Sequence, residues 1–378
     1  MKKKILIIIG VIFFLSLFLL FLYYKNEKDD LNYEDKLKNK GYSANEVAII
    51  LDKVPKDSYD YILNLGYDRS LIDILSSSNY DENKFNDYIE YYLKNKKSNI
   101  NDIITIVNSG YDLMSYPASS LLASLVQEKY YINGNVARYL DYGNSHNQDS
   151  KKIIGVVNSK ADLGFYSNSY DSNLNDNNLV LVNKFYHLKE DYTPSDLVTL
   201  SGQYNRGANN KMRKEAADAF MKMVDAASLE NIIIYNMSAF RSYNYQVNLY
   251  DRYIKRDGKE NADKYSARPG YSEHQSGLCS DINEISDSFE GTDEAIWLKN
   301  NAYKYGFILR FPKDKEDITG YKYEPWHYRY VGLDAAKIIH EDDITLEEYY
   351  AYYIERTSDW FLKFYSVSIS CPKTFIIL

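Results

Sequence analysis

The sequence predicts an α+β fold lying behind a membrane-spanning helix and a mostly helical region. Three observations carry that expectation: an uncharged apolar run near the start, short helical patterns punctuated by Gly-Tyr pairs up to about residue 145, and short β-type runs interleaved with amphipathic helix from about Lys151. Runs of strand and helix mixed in this way predict an α+β domain rather than an all-α one. The 378 residues suit about two domains, and a hydrophobic content of 45% is enough for a sizeable core.

The first element is Met1-Lys2-Lys3-Lys4 followed by Ile5 to Tyr24 without a charge. That run is long enough to cross about 30 Å of hydrocarbon as a helix, and longer than the core of a cleaved signal. It exits through Tyr23-Tyr24-Lys25-Asn26, which offers no small-residue cleavage site and puts aromatic rings at the interface. Positive charge is retained inside. The expectation is a single-pass signal anchor over 1–24, in the cell membrane, with the rest of the chain outside the cytoplasm; a secretory signal with a poorly marked cleavage site is the competing reading.

Residues 25–35 are polar and read as a juxtamembrane linker. Beyond them, Gly41-Tyr42 precedes a run with Val47, Ile49, Ile50 and Leu51. Gly66-Tyr67 precedes Leu71, Ile72, Ile74 and Leu75, and Gly110-Tyr111 follows Ile103, Ile104, Ile106 and Val107. Each Gly-Tyr predicts a helix stop or turn, with Gly in the left-handed region. The spacing drifts, so a repeat array is only hinted at. The region 25–150 reads as a helical stalk or spacer.

From Lys151 the chain changes texture. Ile153 to Val157 and Leu179 to Val182 predict short strands. Lys211 to Ala227 predicts an amphipathic helix with Ala216, Ala217, Phe220, Met223 and Val224 on one side. Asn231 to Met237 predicts a buried strand, and Tyr245 to Arg256 a second helix. The end of the chain, 346–378, reads as a C-terminal helix and tail, irregular and apolar from Asp359. Cys279 and Cys371 read as unpaired thiols, since an extracellular domain of this size needs no disulfide framework.

The formal charge of −8 argues against nucleic acid as a partner, because phosphate binding needs clustered Lys and Arg. It also gives no electrostatic reason to adhere to anionic lipid or wall polymers. The 40 tyrosines, with much Asn, Lys and Ile, reflect AT-rich codons before they reflect chemistry.

Of five histidines, two sit among small and polar residues. His274 and Asp281 are seven residues apart, with Gly277 between them to allow a turn into the strand Leu278 to Ile282. His327 supplies a third donor from a distant segment, and Glu324 stands three residues before it as a candidate base. In a regular strand 324 and 327 face opposite sides; Pro325 breaks that regularity. A catalytic zinc takes three such ligands and keeps a fourth position open. Spacing alone leaves the bland readings standing: His274 as a surface turn residue, His327 as one packed beside Trp326.

Ser238-Ala239-Phe240-Arg241-Ser242, the run Ser266-Ala267-Arg268-Pro269-Gly270-Tyr271-Ser272-Glu273-His274-Gln275-Ser276-Gly277, and Glu324-Pro325-Trp326-His327 occur in order at familiar distances. Asn301 to Phe307 and Leu309-Arg310-Phe311-Pro312 join them. Together they resemble the VanY-type zinc D-alanyl-D-alanine carboxypeptidases, whose near relatives include L,D-carboxypeptidases. The resemblance covers roughly 178–345. It implies an antiparallel sheet flanked by helices, a catalytic domain over 151–345, and one Zn2+ held by His274, Asp281 and His327. It also implies Glu324 as general base and Arg241 as a catalytic group. Arg241, Gln246 and Ser266 match positions that hold the substrate's terminal carboxylate or neighbouring carbonyl. The implied reaction removes the terminal D-alanine of peptidoglycan stem peptides. An L,D-carboxypeptidase acting on tetrapeptide stems and a non-catalytic, zinc-stabilised wall-binding module are the alternatives. Phe240 replaces a common Tyr, and Cys279-Ser280 fills a slot that is usually small and apolar; Cys279 reads as a buried small hydrophobe rather than a ligand.

Overall fold

The computed structural model describes Leu15, Ser16, Phe18 and residues 32–355. The expected anchor over 1–24 therefore falls, but for three residues, outside the described residues, as do the tail beyond 355 and Cys371. Among the described residues no helix is long and apolar enough to cross a membrane. The chain divides into two compact units, 1–133 and 134–378.

The first unit is built of short helices: α1 (Ala44–Lys53), α2 (Tyr59–Leu65), α3 (Arg69–Leu75), α4 (Phe85–Lys94), α5 (Ile100–Asn108) and α6 (Ser120–Leu125). Their starts are set by side-chain caps. Ser43 and Glu46 form a reciprocal capping box on α1, and Asp68, Asn99 and Ser119 cap α3, α5 and α6. The Gly-Tyr pairs carry part of the packing. The Tyr42 hydroxyl donates to the Gly66 carbonyl at 2.8 Å and accepts from the Asp68 amide at 3.2 Å, which ties one pair to the next. Val47, Ile50, Ile62, Leu71, Leu75, Phe85 and Ile89 form the core of this unit.

The second unit opens with α7 (Val136–His146) and α8 (Ser150–Asn158). The strand expected over 153–157 is thus a helix. Its apolar run is buried on every side, where periodicity does not separate strand from helix, and Asp149, which accepts from the Lys152 amide at 2.9 Å, starts the turn. The strand expected over 179–182 is irregular. Its carbonyls find side chains in place of a ladder: Arg329 donates to Val180 at 2.9 Å and Ser172 to Leu181 at 2.7 Å.

Two strand pairs are small: β1 (Tyr170–Asp171) with β2 (Tyr186–His187), and β3 (Leu197–Thr199) with β5 (Lys211–Arg213). The main sheet has five strands in the order β4 (Asn205–Asn209), β6 (Asn236–Ser238), β7 (Cys279–Ile282), β9 (His327–Tyr330), β8 (Phe307–Leu309). It is antiparallel except at one edge, where β4 and β6 run parallel. This corrects the all-antiparallel expectation. The long helix α9 (Lys214–Leu229) lies between β4 and β6 in sequence, and a helical crossover returns the chain in the same direction. Helix α9 starts at Lys214 because Lys211–Arg213 pairs as β5. The strand expected over 231–237 begins only at Asn236. Upstream, the Asn283 side chain accepts from the Tyr235 amide at 2.9 Å and donates to the Ile233 carbonyl at 2.7 Å, replacing a neighbouring strand. Helix α10 (Tyr243–Asp257) follows, capped by Ser242.

The sheet has two unlike faces. Leu278, Ile282, Tyr328 and Tyr330 pack with Ala216, Ala217, Phe220, Met223 and Val224 of α9 in one core, where the Phe220 and Phe307 rings meet edge-on at 6.0 Å. Strand alternation then turns Cys279, Asp281, His327 and Arg329 to the other face. Where β4 meets β6, the backbones approach so closely that a Cβ on Gly207 would lie 1.7 Å from the Met237 carbonyl oxygen.

Candidate metal centre

β7 and β9 pair with Asp281 directly opposite His327 and Cys279 opposite Arg329. The register alone therefore brings a carboxylate and an imidazole together on the face away from α9. His274 arrives from a short 3-10 turn, Glu273–Ser276, which Gly277 closes with φ +70 before β7 begins. Its Nδ1 lies 2.7 Å from the Ala239 carbonyl oxygen, which can only accept, so Nδ1 carries the proton and Nε2 is the free donor atom.

The three side chains converge. Asp281 places Oδ2 3.5 Å from His274 Nε2 and Oδ1 3.2 Å from His327 Nδ1. The two rings stand edge-on with centroids 4.9 Å apart. Glu324 precedes β9 in a turn closed by the His327 amide donating to the Glu324 carbonyl at 3.1 Å, with Pro325 at its second position. That turn aims both side chains inward, and Glu324 Oε2 lies 3.5 Å from His327 Nδ1. His274, Asp281 and His327 are each at most 4% exposed.

Burial of the Glu324 carboxyl, aided by the nearby Asp281 charge, pushes it up to about 7 in spite of the two imidazoles. Burial acts in the same direction on Asp281, but His274 and Arg241 outweigh it and hold that carboxyl well below its usual range. Asp281 Oδ1 and His327 Nε2 are buried without a hydrogen-bond partner. Two imidazole nitrogens and a carboxylate that face one another across such short gaps fit a divalent cation of the zinc kind.

All seven residues singled out in the sequence line one cleft of about 730 Å³. Arg241 donates from Nε to Ser238 Oγ at 2.9 Å and from Nη2 to Asp281, so its guanidinium sits at the centre's edge. Gln246, on α10, donates to the Ala267 carbonyl at 2.8 Å and to Ser266 Oγ at 3.4 Å, while its Oε1 has no partner.

Two further features stand beside these residues: Cys279, which the sequence reads as a buried small hydrophobe, and a cluster that went unread. Cys279 shares a face with Asp281, and its Sγ lies with a nitrogen of each of His274 and His327 inside a 4.8 Å group. Burial raises the thiol, and the two imidazoles more than reverse that, to about 7. Two side chains thus face both rings as a third donor, the Asp281 carboxylate at 3.5 and 3.2 Å and the Cys279 thiol within the 4.8 Å group. The second feature is a buried ionic cluster behind His327. Glu273 Oε1 accepts from Arg310 Nε at 2.8 Å and Arg329 Nη1 at 2.9 Å, and Arg310 also grips Glu347. The available signal was the placing of Glu273 beside His274 and of Arg329 two residues past His327, on the same strand face.

The VanY family, D-alanyl-D-alanine carboxypeptidase, matches over residues 209–333. The Bacillus subtilis (strain 168) protein YodJ is 46% identical over 184 residues, 46% of this chain and 67% of that protein. A D-alanyl-D-alanine carboxypeptidase of Enterococcus faecium is 38% identical over 206 residues, 52% of this chain and 63% of that protein. The bifunctional D-Ala-D-Ala dipeptidase and carboxypeptidase VanXYC of Enterococcus gallinarum is 35% identical over 184 residues, which are 47% of this chain and 95% of that protein. The chain thus spans about two thirds of the length of the first two and nearly all of the third. With its motifs, its converging donors and a relative matched end to end, the chain belongs to the VanY family of D-alanyl-D-alanine carboxypeptidases.

Proposed function

We propose that this chain is a zinc-dependent peptidoglycan carboxypeptidase that removes the C-terminal D-alanine of cell-wall stem peptides. One observation carries the reading: the Asp281 carboxylate lies within 3.5 Å of both the His274 and His327 imidazoles, beside Glu324, in a cleft of about 730 Å³. His274 Nε2, His327 Nδ1 and Asp281 would hold the ion. When bound there, zinc supplies Lewis-acid polarisation of a carbonyl and lowers the pKa of a water.

The chain's own groups divide the remaining work. Glu324, a carboxyl that burial holds near neutrality, takes the proton of the attacking water and later delivers it to the leaving amine of D-alanine. Arg241 suits the free carboxylate, because its planar fork matches that anion and exopeptidase action requires a chain end to be recognised. Gln246 and Ser266, joined by a 3.4 Å contact in the same cleft, help hold the substrate's terminal carboxylate or its neighbouring carbonyl. Anchoring by 1–24, with the catalytic domain facing the wall, belongs to the same proposal and is supported by the basic head and the uncharged run.

The test is zinc content and product mass on purified muropeptides for wild type, His274→Ala and Glu324→Ala. One zinc per chain and loss of one alanine from pentapeptide stems are expected for wild type, no zinc for His274→Ala, and zinc without cleavage for Glu324→Ala. Loss of alanine from tetrapeptides alone would reassign the specificity to L,D. A Glu324→Ala variant as active as wild type would sink the mechanism.

A further inference from the structure

We infer that Glu273 is a positioning residue: it holds His327 as the Nε2–H tautomer and so presents Nδ1 to the metal. Resting on the zinc reading above, this assigns work to a carboxylate that touches neither substrate nor ion. Glu273 is 4% exposed. Its Oε1 is taken by Arg310 and Arg329, while Oε2 lies 3.5 Å from His327 Nε2. Both of these facing atoms are buried, and neither has another hydrogen-bond partner.

A carboxylate oxygen can only accept, so this pair is satisfied only when Nε2 carries the proton. The gap is longer than a formed hydrogen bond, yet a negative oxygen across it still favours an N–H over a lone pair. The choice matters because carboxylates flank His327 on both sides. Nδ1 faces Asp281 Oδ1 at 3.2 Å and Glu324 Oε2 at 3.5 Å. Without an acceptor behind the ring, the proton would go to Nδ1, where the metal must bind. His274 is solved in the mirror sense: the Ala239 carbonyl takes Nδ1–H and leaves Nε2. The two ligands therefore hold opposite tautomers, each fixed by an acceptor at its back.

Glu273 is itself held rigidly. Arg310 binds it and makes a two-pronged contact with Glu347, whose Oε1 also accepts from Asn183 at 3.2 Å. Arg329 is fastened to the carbonyls of Asn178, Val180 and Tyr330, each at 2.9 Å. Two arginines and two glutamates make the cluster neutral. Buried ion clusters of this type add little net stability over well-packed apolar residues, which leaves orientation of the ring as its contribution.

The test uses the full chain labelled with 15N-histidine, in which only five residues report. Histidine-to-glutamine variants at His146, His187 and His340 assign the peaks, and two-bond proton–nitrogen spectra read the tautomers of the zinc-loaded protein. Alongside, zinc affinity is measured against a chromophoric chelator for wild type, Glu273→Gln and Glu347→Gln. The expected results are Nε2–H for His327, Nδ1–H for His274, and zinc affinity weakened about 10- to 100-fold by Glu273→Gln. Glu347→Gln loosens Arg310 but leaves Glu273 Oε2 facing the ring, and is expected to weaken zinc affinity less than Glu273→Gln does. Absence of zinc from folded wild type would overturn the zinc reading itself. Zinc binding with Nδ1–H on His327, or with equal losses in both variants, would overturn the role of Glu273 alone. Should Glu273→Gln not fold, the wild-type tautomer decides.

Discussion

Glu324→Gln in zinc-free protein removes a carboxyl that the fold holds at about 7 against an ordinary value of 4.5. Burial is the main cause, so the folded state favours the protonated form. A group raised in this way contributes stability that is fully present below about 4.5 and is lost as pH rises through about 7. The full span is worth about 3 kcal/mol. Glutamine keeps the shape and does not titrate, so wild type should lose about that much stability relative to the variant across the window. For a unit of this size that corresponds to about 6–12 °C in the gap between their unfolding temperatures. Calorimetry or circular dichroism of both proteins, stripped with chelator at a series of pH values from 4 to 8, measures it. Adding zinc should shrink the pH-dependent gap, because a nearby cation favours the ionised carboxylate. A gap that stays constant with pH, or one that changes in favour of wild type as pH rises, would refute the reading that burial outweighs the nearby imidazoles at Glu324.

Arg241→Lys keeps the charge but loses the fork, and should lower kcat/KM on pentapeptide by about 10- to 100-fold, equivalent to about 1.5–3 kcal/mol. A C-terminally amidated pentapeptide should be a poor substrate for both proteins and show little further loss; an equal loss on acid and amide would assign Arg241 a structural role. Gly207→Ala places a Cβ 1.7 Å from the Met237 carbonyl oxygen, so the β4–β6 edge must part, at a cost of at least about 1–3 kcal/mol, readable as a lower unfolding midpoint. Phe220→Ala, fully buried where α9 meets the sheet, should cost about 3–5 kcal/mol in denaturant unfolding and leave the zinc stoichiometry of the folded fraction unchanged.

The convergence of His274, Asp281 and His327 was legible from the family resemblance, and local geometry made it feasible without singling it out. Gly277 closes a turn and two-residue alternation does the rest, so His274 and Asp281 could be paired on spacing. Pro325 signalled that Glu324 and His327 need not face apart. The cluster behind them was illegible, since Glu273, Arg310, Arg329 and Glu347 come from four segments that share no local pattern. Elements failed where burial is uniform. Ile153 to Val157 is apolar on all sides, so its period is silent and only Asp149-Ser150 marks a helix start. Val180 and Leu181 satisfy their carbonyls with the side chains of Arg329 and Ser172, which no strand rule anticipates. The parallel edge at β4 is a matter of topology, set by where α9 crosses, and the α+β class alone does not specify it.

Asp281 and His327 stand opposite one another in a hydrogen-bonded ladder, while the chain between Ile282 and His327 wanders through two α-helices, another strand and several loops before it returns. The distance between the two donors is therefore held by the pairing, not by the intervening path. Insertions and new side chains can accumulate in the loops of that path outside β8, Arg310 and the Glu324 turn, including those that supply Ile285, Asp287 and Glu290 to the cleft wall, without moving the two donors. Rim and reaction centre are free to diversify separately, whereas a single-residue slip of β9 against β7 would turn His327 into the opposite core and end the chemistry at once.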